Sequence, residues 1–267
     1  MDLQLAAQVS KQAGLFSVID NTFASPVLQQ PLAHARIDAV MHSATKYLGG
    51  HCRPDCGSYW PAAKTSSIVS GKRRWWVGTT LDPAAAYLLG RGMKTLDVRV
   101  QRSCDNAPRL AQALQRHPKV MRVYYPGLED DPGHALAKRQ MKAFGGVVAL
   151  DIQGGEPEVE KLFNSLRLVR TAPSLGGVET LASYPLYSSH AGFSDEQLRA
   201  AGVSAATVRF AVGIEAAEDI ITDITQALEK PEAWKSNSCS RWIFANKPRC
   251  KRRLSLMVRR TRCLPSP

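Results

Sequence analysis

Residues 15–51 have the sequence LFSVIDNTFASPVLQQPLAHARIDAVMHSATKYLGGH. This stretch contains two short apolar runs, at residues 15–20 and 37–44, separated by a segment with two prolines. An amphipathic helical pattern at residues 1–14 precedes the first run, which ends in Asp20. Short apolar runs of this kind are typical of buried parallel strands. The alternation predicts an α/β sheet with an active site beyond the carboxyl ends of its strands.

The sequence after residue 81 continues the alternation of helices and strands. A long helical pattern covers residues 82–118, where Asp82 suits the N-cap and Pro83 suits the first turn. Pro108 is expected to kink this helix or to begin a new one. Further strands are predicted within residues 120–128, 145–155 and 206–215, and further helices over residues 156–168 and 218–230.

The positive charge of the chain is concentrated at one end. The net charge is +12, and residues 231–267 contain ten Lys and Arg residues against the single acid Glu232. That segment also lacks periodicity, so we predict a basic, disordered tail. The alternative is a tail that binds RNA or acidic lipid. A nucleic-acid partner is not predicted for the body of the chain, because residues 1–230 carry only +3 of the charge.

Composition also limits the classes of protein. The hydrophobic content of 44% is ordinary for a globular protein, and no apolar run is long enough to predict a membrane span. The first residues do not resemble a secretion signal, so we expect a cytoplasmic protein, or a plastid one if a longer N-terminus precedes. His51, Cys52 and Cys56 do not have the spacing of a zinc site, so no metal is predicted.

The segment HSATKYLGGH, residues 42–51, places Lys46 among small and hydroxyl side chains. A cofactor held through an aldehyde requires an amine, a carboxylate for its ring nitrogen, hydroxyls for its phosphate and a cation for the substrate carboxylate. The alternatives are a solvated surface lysine, a strand-terminal Asp that is only a cap, and a surface strand Arg. The sequence offers the required groups in order, as Asp20, Thr22, Ser43, Thr45, Lys46 and Arg209.

Two segments, residues 18–32 and 38–51, resemble the Cys/Met-metabolism family of pyridoxal-phosphate enzymes. This family contains the cystathionine synthases and lyases, methionine γ-lyase and the homoserine sulfhydrylases. The resemblance implies the C-terminal part of a fold-type-I pyridoxal-phosphate-dependent transferase. It implies a partial large domain with a mainly parallel sheet at residues 1–95, a smaller α/β domain at residues 96–230 and the tail at residues 231–267. The resemblance continues through TLDPAAAYLLGRGMKTLDVRV, VYYPGL, PGHALAKRQMKAFGGVVALDI, APSLGGVETLASYP and VRFAVGIE, and covers about residues 1–230.

The resemblance implies roles for the residues around Lys46. Lys46 would form a covalent Schiff base with pyridoxal 5'-phosphate and later move protons. Asp20 would pair with the pyridine nitrogen, and Thr22 would lie beside the ring edge. Ser43 and Thr45 would bind the cofactor phosphate. These assignments are carried from the family motif onto the matching positions of this sequence.

The resemblance also implies a reaction class. Ser174 and Arg209 would meet a small amino-acid substrate, with Arg209 binding its carboxylate through two hydrogen bonds. The implied activity is a lyase or transferase of sulfur amino-acid metabolism, acting by β- or γ-elimination or γ-replacement on cystathionine, methionine or acyl-homoserines. The full-length enzyme is expected to be a homodimer or homotetramer. Tyr47 and His42 are expected to be packing residues or to support the site residues without touching their ligands. The alternative is a catalytically dead relic that joins family oligomers.

The sequence departs from the family at three places. The family's large domain starts well before residue 18, so its phosphate-binding glycine turn, ring-stacking aromatic residue and Tyr/Arg pair cannot be assigned here. We therefore expect weakened cofactor binding and an exposed sheet edge. Cys52 and Arg53 replace the family's usual Ser-Asp. The tail at residues 231–267 resembles nothing in the family.

Overall fold

The computed structural model describes residues 1–51, the backbone of residues 57–61, residues 76 and 78, and residues 81–229. Our predictions for Cys52, Arg53, Cys56 and the basic tail therefore lie outside the described residues. Among the helices that are described, none has the length and apolar character needed to cross a membrane.

The N-terminal region contains a three-stranded sheet in the order β1-β2-β3. Strands β1 and β2 are parallel, with Asp20 opposite Met41, whereas β2 and β3 are antiparallel. The sheet is therefore mixed within the described residues. Its elements are α1 (Leu3–Gln12), β1 (Val18–Asp20), α2 (Ser25–Leu28), α3 (Pro31–His34), β2 (Ala39–Ser43) and β3 (Gly57–Pro61).

Strand β1 forms where the first apolar run predicted a strand, but it is not buried. Leu15, Phe16 and Val18 are each more than half exposed. The prediction of a buried strand is wrong because β1 pairs only with β2 and lies at an edge of the described sheet. The expected exposed edge is confirmed by the same observation.

The long helical pattern after residue 81 forms two helices, α4 (Pro83–Met93) and α5 (Leu96–Gln115). Asp82 is the N-cap of α4, as predicted, and its Oδ1 accepts hydrogen bonds from two backbone N–H groups at 2.9 and 3.1 Å. Pro108 lies inside α5 and does not begin a new helix. The chain instead turns between the helices at Lys94 and Thr95.

A second sheet of five strands follows α5, in the order β4-β5-β8-β7-β6. Its pairs are antiparallel except for β6 with β7. The strands are β4 (Val120–Tyr124), β5 (Val147–Ile152), β6 (Arg170–Thr171), β7 (Leu181–Ser183) and β8 (Thr207–Ala211). The helices of this region are α6 (His134–Gln140), α7 (Glu156–Ser165), α8 (Asp195–Ala200) and α9 (Ala217–Glu229), with a short 3-10 helix at Pro185–Tyr187.

The largest hydrophobic core lies between this second sheet and three helices. Leu110 of α5, Leu162 of α7 and Ile224 of α9 pack with Leu150 and Phe210 of the central strands, and each is almost completely buried. A smaller cluster contains Tyr47, Leu48, Leu96, Val100 and Leu175 among its members. This second cluster joins the loop after β2 to α5 and to the segment before β7. The loop that carries Lys46 is therefore packed against helix α5 and against the segment that precedes β7.

Candidate active site

Lys46 lies in a tight turn that follows β2. The turn is closed by three backbone hydrogen bonds, from the N–H of Lys46 to Ser43, of Gly49 to Ala44 and of Gly50 to Lys46. These bonds are 3.1, 2.8 and 2.8 Å long. The turn is compact because two glycines end it, and Gly50 has a φ of +69° that favours glycine.

The amine of Lys46 is not a solvated surface charge. Its Nζ atom donates a hydrogen bond of 3.0 Å to Oγ of Ser174, which is 128 residues away in the sequence. Both residues are half-buried. The fold therefore brings together two residues that the sequence resemblance had placed in one site.

The carboxylate of Asp20 is connected to Ser43 through Thr22. Oδ1 of Asp20 accepts hydrogen bonds from the N–H of Thr22 at 3.0 Å and from its hydroxyl at 2.5 Å. The Thr22 hydroxyl oxygen in turn accepts from the N–H of Ser43 at 2.8 Å. This bond crosses from the end of β1 to the end of β2. Asp20 itself is exposed, so its carboxylate is accessible to a ligand.

Ser43 and Thr45 place two hydroxyl groups beside each other. Their oxygens, Oγ and Oγ1, are 3.2 Å apart, close enough for one hydroxyl to donate to the other. Both residues lie on the same turn as Lys46. Hydroxyl groups and loop N–H groups clustered in this way are common ligands of phosphate.

Arg209 is linked to the same residue as Lys46, namely Ser174. It lies on β8, and its Nη2 atom donates to the backbone carbonyl of Ser174 at 3.0 Å. Its Nε atom is buried and has no hydrogen-bond partner among the described residues. Desolvation lowers the pKa of Arg209, an effect opposed by Tyr47. A buried guanidinium with an unmatched N–H is suited to an anionic ligand.

His42 and Tyr47 occupy the packing positions that the sequence predicted. Both are buried, with exposed fractions of 5% and 4%. Desolvation lowers the pKa of His42, and the charge of Asp20 opposes the shift. Desolvation raises the pKa of Tyr47 to about 12, so its hydroxyl stays neutral at ordinary pH.

Sequence reasoning missed three buried polar residues of helix α5: Arg99, Ser103 and Asn106. A signal was present, since their spacing of four and then three residues places them on one face of a helix. The apolar residues Val100 and Ala107 lie next to that face and are also buried. Polar residues within an apolar stripe indicate buried hydrogen bonds rather than a solvated surface.

A family profile described as "Cys/Met metabolism PLP-dependent enzyme" matches residues 1–229 of the chain. The chain belongs to this family. The Cys/Met-metabolism family was the one that the sequence around Lys46 resembled, and that resemblance is confirmed. The match ends before the basic tail.

Individual relatives in the Cys/Met-metabolism family are similar over most of this chain. L-methionine gamma-lyase from Fusobacterium nucleatum subsp. polymorphum is 42% identical over 218 residues, which is 80% of this chain and 54% of the relative. Cystathionine gamma-synthase 1, chloroplastic, from Arabidopsis thaliana is 43% identical over 229 residues, 86% of this chain and 40% of the relative. The chain thus spans about half the length of these relatives.

A solved structure agrees with the fold. The cystathionine gamma synthase from Xanthomonas oryzae pv. oryzae, solved with aminoacrylate and cysteine, superposes with a TM-score of 0.80 and 39% sequence identity. The superposition covers 85% of this chain and 59% of that structure. The predicted α/β class of the fold-type-I enzymes is confirmed.

Proposed function

We propose that this chain carries the lysine and substrate-carboxylate half of a pyridoxal-phosphate-dependent C–S lyase or γ-replacement transferase of sulfur amino-acid metabolism. One observation carries the proposal. Ser174 accepts a hydrogen bond from Lys46 through its hydroxyl and one from Arg209 through its carbonyl. One residue thus holds an amine and a guanidinium close together, as chemistry on an amino acid requires.

The described residues fit pyridoxal phosphate as a cofactor. Lys46 would supply the amine that holds its aldehyde, and the accessible carboxylate of Asp20 would pair with its ring nitrogen. The hydroxyls of Ser43 and Thr45 would bind its phosphate, and Thr22 would hold Asp20 in place through its two hydrogen bonds. When bound, the cofactor supplies an electron-withdrawing ring that makes the substrate's Cα proton acidic.

The chain's own residues would bind the substrate, move its proton and exclude water. Arg209 would bind the substrate carboxylate, using the N–H groups that Ser174 does not occupy. Ser174 would keep the Lys46 amine in reach of the Cα atom, where the amine can take up and return a proton. The apolar cluster around Tyr47 would exclude water from the back of the loop.

The relatives support sulfur amino acids as the substrate class without selecting one reaction. They are named as a methionine gamma-lyase and a cystathionine gamma-synthase, so elimination and γ-replacement both remain within the proposal. We also propose the division into residues 1–95 and 96–230, assembly into a homodimer or homotetramer in the full-length protein, and a cytoplasmic or plastid location. The Arabidopsis relative is named chloroplastic, which supports the plastid option.

Borohydride trapping tests the assignment of Lys46. Purified protein is incubated with pyridoxal phosphate, reduced, digested and analysed by mass spectrometry. We expect the cofactor mass on the Lys46 peptide and its loss in Lys46→Ala. The matched control is Lys11→Ala, because Lys11 is an exposed lysine on α1. Labelling that is equal at Lys11 and Lys46, or that persists elsewhere in Lys46→Ala, would contradict the proposal.

The catalytically dead relic is the alternative function, and the exposed edge of β1 is the observation that favours it. A folded protein that remains unlabelled at Lys46 in excess cofactor would support this alternative. Folding is checked in the same sample by circular dichroism. Assays with cystathionine, methionine and acyl-homoserines then separate elimination from γ-replacement in the labelled protein.

A further inference from the structure

Helix α5 presents a row of buried polar side chains to the two segments that carry the candidate site. We call Arg99, Ser103 and Asn106 the α5 polar stripe. Their exposed fractions are 5%, 2% and 1%. Burying polar groups destabilises a protein unless they form hydrogen bonds, so such a stripe needs specific partners.

Arg99 forms hydrogen bonds from all three of its side-chain nitrogens. Nη1 donates to the carbonyl of Tyr47 at 2.8 Å, Nη2 to the carbonyl of Gly92 at 2.8 Å and Nε to the hydroxyl of Thr95 at 3.0 Å. All three acceptors are uncharged oxygens, and no ion pair of Arg99 is found among the described residues. Its guanidinium instead ties the residue after Lys46 to the end of α4 and the start of α5.

Two glycines leave room for the close contacts that the lysine turn makes with Arg99 and with α4. A Cβ atom at Gly50 would overlap the Arg99 side chain, and a Cβ atom at Gly92 would overlap the carbonyl oxygen of Gly49. The turn and the end of α4 thus approach each other at backbone distance, and Arg99 donates a hydrogen bond to each of them. Only glycine permits so close an approach.

The other two residues of the stripe hold the chain that leaves β8. The Ser103 hydroxyl donates to the carbonyl of Val212 at 2.7 Å. Nδ2 of Asn106 donates to the carbonyls of Gly213 at 3.1 Å and Glu215 at 2.9 Å. Val212 follows Arg209 by three residues, so these bonds fix the end of the strand that carries Arg209.

We propose that Arg99, Ser103 and Asn106 are positioning residues that set the position of Lys46 relative to Arg209. The functional meaning of this inference rests on the proposed function of those two residues. Arg99 acts on the lysine turn through the Tyr47 carbonyl. Ser103 and Asn106 act on the Arg209 strand through residues 212–215. Because one rigid helix carries all three, the two segments keep a fixed separation.

Hydrogen exchange of the cofactor-free chain tests Arg99 without any activity measurement. Arg99→Lys keeps the charge but cannot make three planar hydrogen bonds. We expect exchange at Lys46, Gly49 and Gly50 to become at least about tenfold faster, because the turn opens locally more often. The matched control is Arg102→Lys, since Arg102 is exposed on the same helix.

A second control separates local loosening from general loss of stability. Leu114→Ala removes a fully buried side chain of α5 from the core of the second sheet. It should speed exchange throughout the second sheet and its helices. Arg99→Lys should act on the turn first. Exchange at the turn that is unchanged in Arg99→Lys, or that rises only in parallel with the rest of the chain as in Leu114→Ala, would overturn the proposal.

Ser103→Ala extends the test should the Arg99 variants fail to fold. It leaves Arg99 intact and removes the donor to the Val212 carbonyl. Faster exchange confined to Val212, Gly213 and Ile214 supports the proposal, and exchange equal to wild type refutes it. Borohydride labelling of the same samples keeps the two proposals apart. An unlabelled wild type would defeat the proposed function, whereas a labelled wild type with exchange unchanged in the variants would defeat the positioning role.

Discussion

The substitution Gly50→Ala has a cost that can be divided into two parts. The first is backbone strain, because Gly50 has a φ of +69°. An alanine in this left-handed region is destabilised by about 1–2 kcal/mol. The second part is steric, because the new Cβ atom would overlap the Arg99 guanidinium. Displacing Arg99 breaks at least one hydrogen bond from a charged donor, which costs about 1.5–3 kcal/mol. We therefore expect Gly50→Ala to lower the free energy of unfolding by about 2.5–5 kcal/mol.

Gly14 provides the matched control for this prediction. It has a φ of +64°, and a Cβ atom added there meets nothing within 4 Å. Gly14→Ala should therefore cost only the strain of about 1–2 kcal/mol. Urea unfolding of both variants, followed by circular dichroism, measures the difference. Equal losses in the two variants would refute the contact between Gly50 and Arg99.

A double-mutant cycle locates the steric part more directly. In Arg99→Met the guanidinium is already absent, so adding Gly50→Ala should cost little more than the strain. The coupling between the two substitutions should then be about 1.5–3 kcal/mol, the hydrogen-bond part of the estimate. A coupling near zero would mean that Arg99 does not lie against the turn.

Two further predictions concern ligand binding and pH. Arg209→Lys should weaken binding of an amino-acid substrate by about tenfold to hundredfold, because lysine cannot bind a carboxylate through two parallel hydrogen bonds. The change in KM measures this effect. The control is Arg199→Lys, because Arg199 is exposed on α8. Desolvation lowers the pKa of His42 and also that of His117, which lies just after the end of α5. The unfolded chain therefore gains protons below pH 6.5 that the folded chain does not. The free energy of unfolding should fall as pH drops below 6.5, and His42→Gln should reduce that slope. A slope unchanged by His42→Gln would contradict the assigned shift.

The sequence predicted best those features that depend on neighbouring residues. The parallel pair β1 and β2 and the N-cap at Asp82 follow from short apolar runs and from an acid before a proline. The exposure of β1 did not follow from its apolar residues, which predicted a buried strand; only the family resemblance suggested an exposed edge, because exposure depends on which strands pair with β1. Gly90 and Gly92 indicated an interruption of the long helical pattern, and the helix does divide close by, at Lys94 and Thr95. Pro108 does not begin a new helix, because packing of α5 against the second sheet continues the helix through it; the predicted kink stays a prediction.

In the candidate site, too, the sequence predicted residues that are close together in the chain better than contacts between distant ones. The residues around Lys46 were found because a continuous motif contains them. Their connection to Ser174 depends on a contact 128 residues away in the sequence, and only a family resemblance suggested it. The hydrogen bonds made by Arg99 had no such motif, and the sequence offered only helical spacing as a signal.

The α5 polar stripe gives a physical reason for two glycines near the lysine turn, Gly92 and Gly50. Gly92 falls near the end of α4 and weakens the helical pattern there, yet its missing side chain is what lets the Gly49 carbonyl approach. Gly50 permits the same approach to Arg99. Substituting either glycine should therefore perturb the lysine turn more than the helix itself. The turn and α5 thus act as one structural unit, and the position of Lys46 depends on residues that need not touch cofactor or substrate.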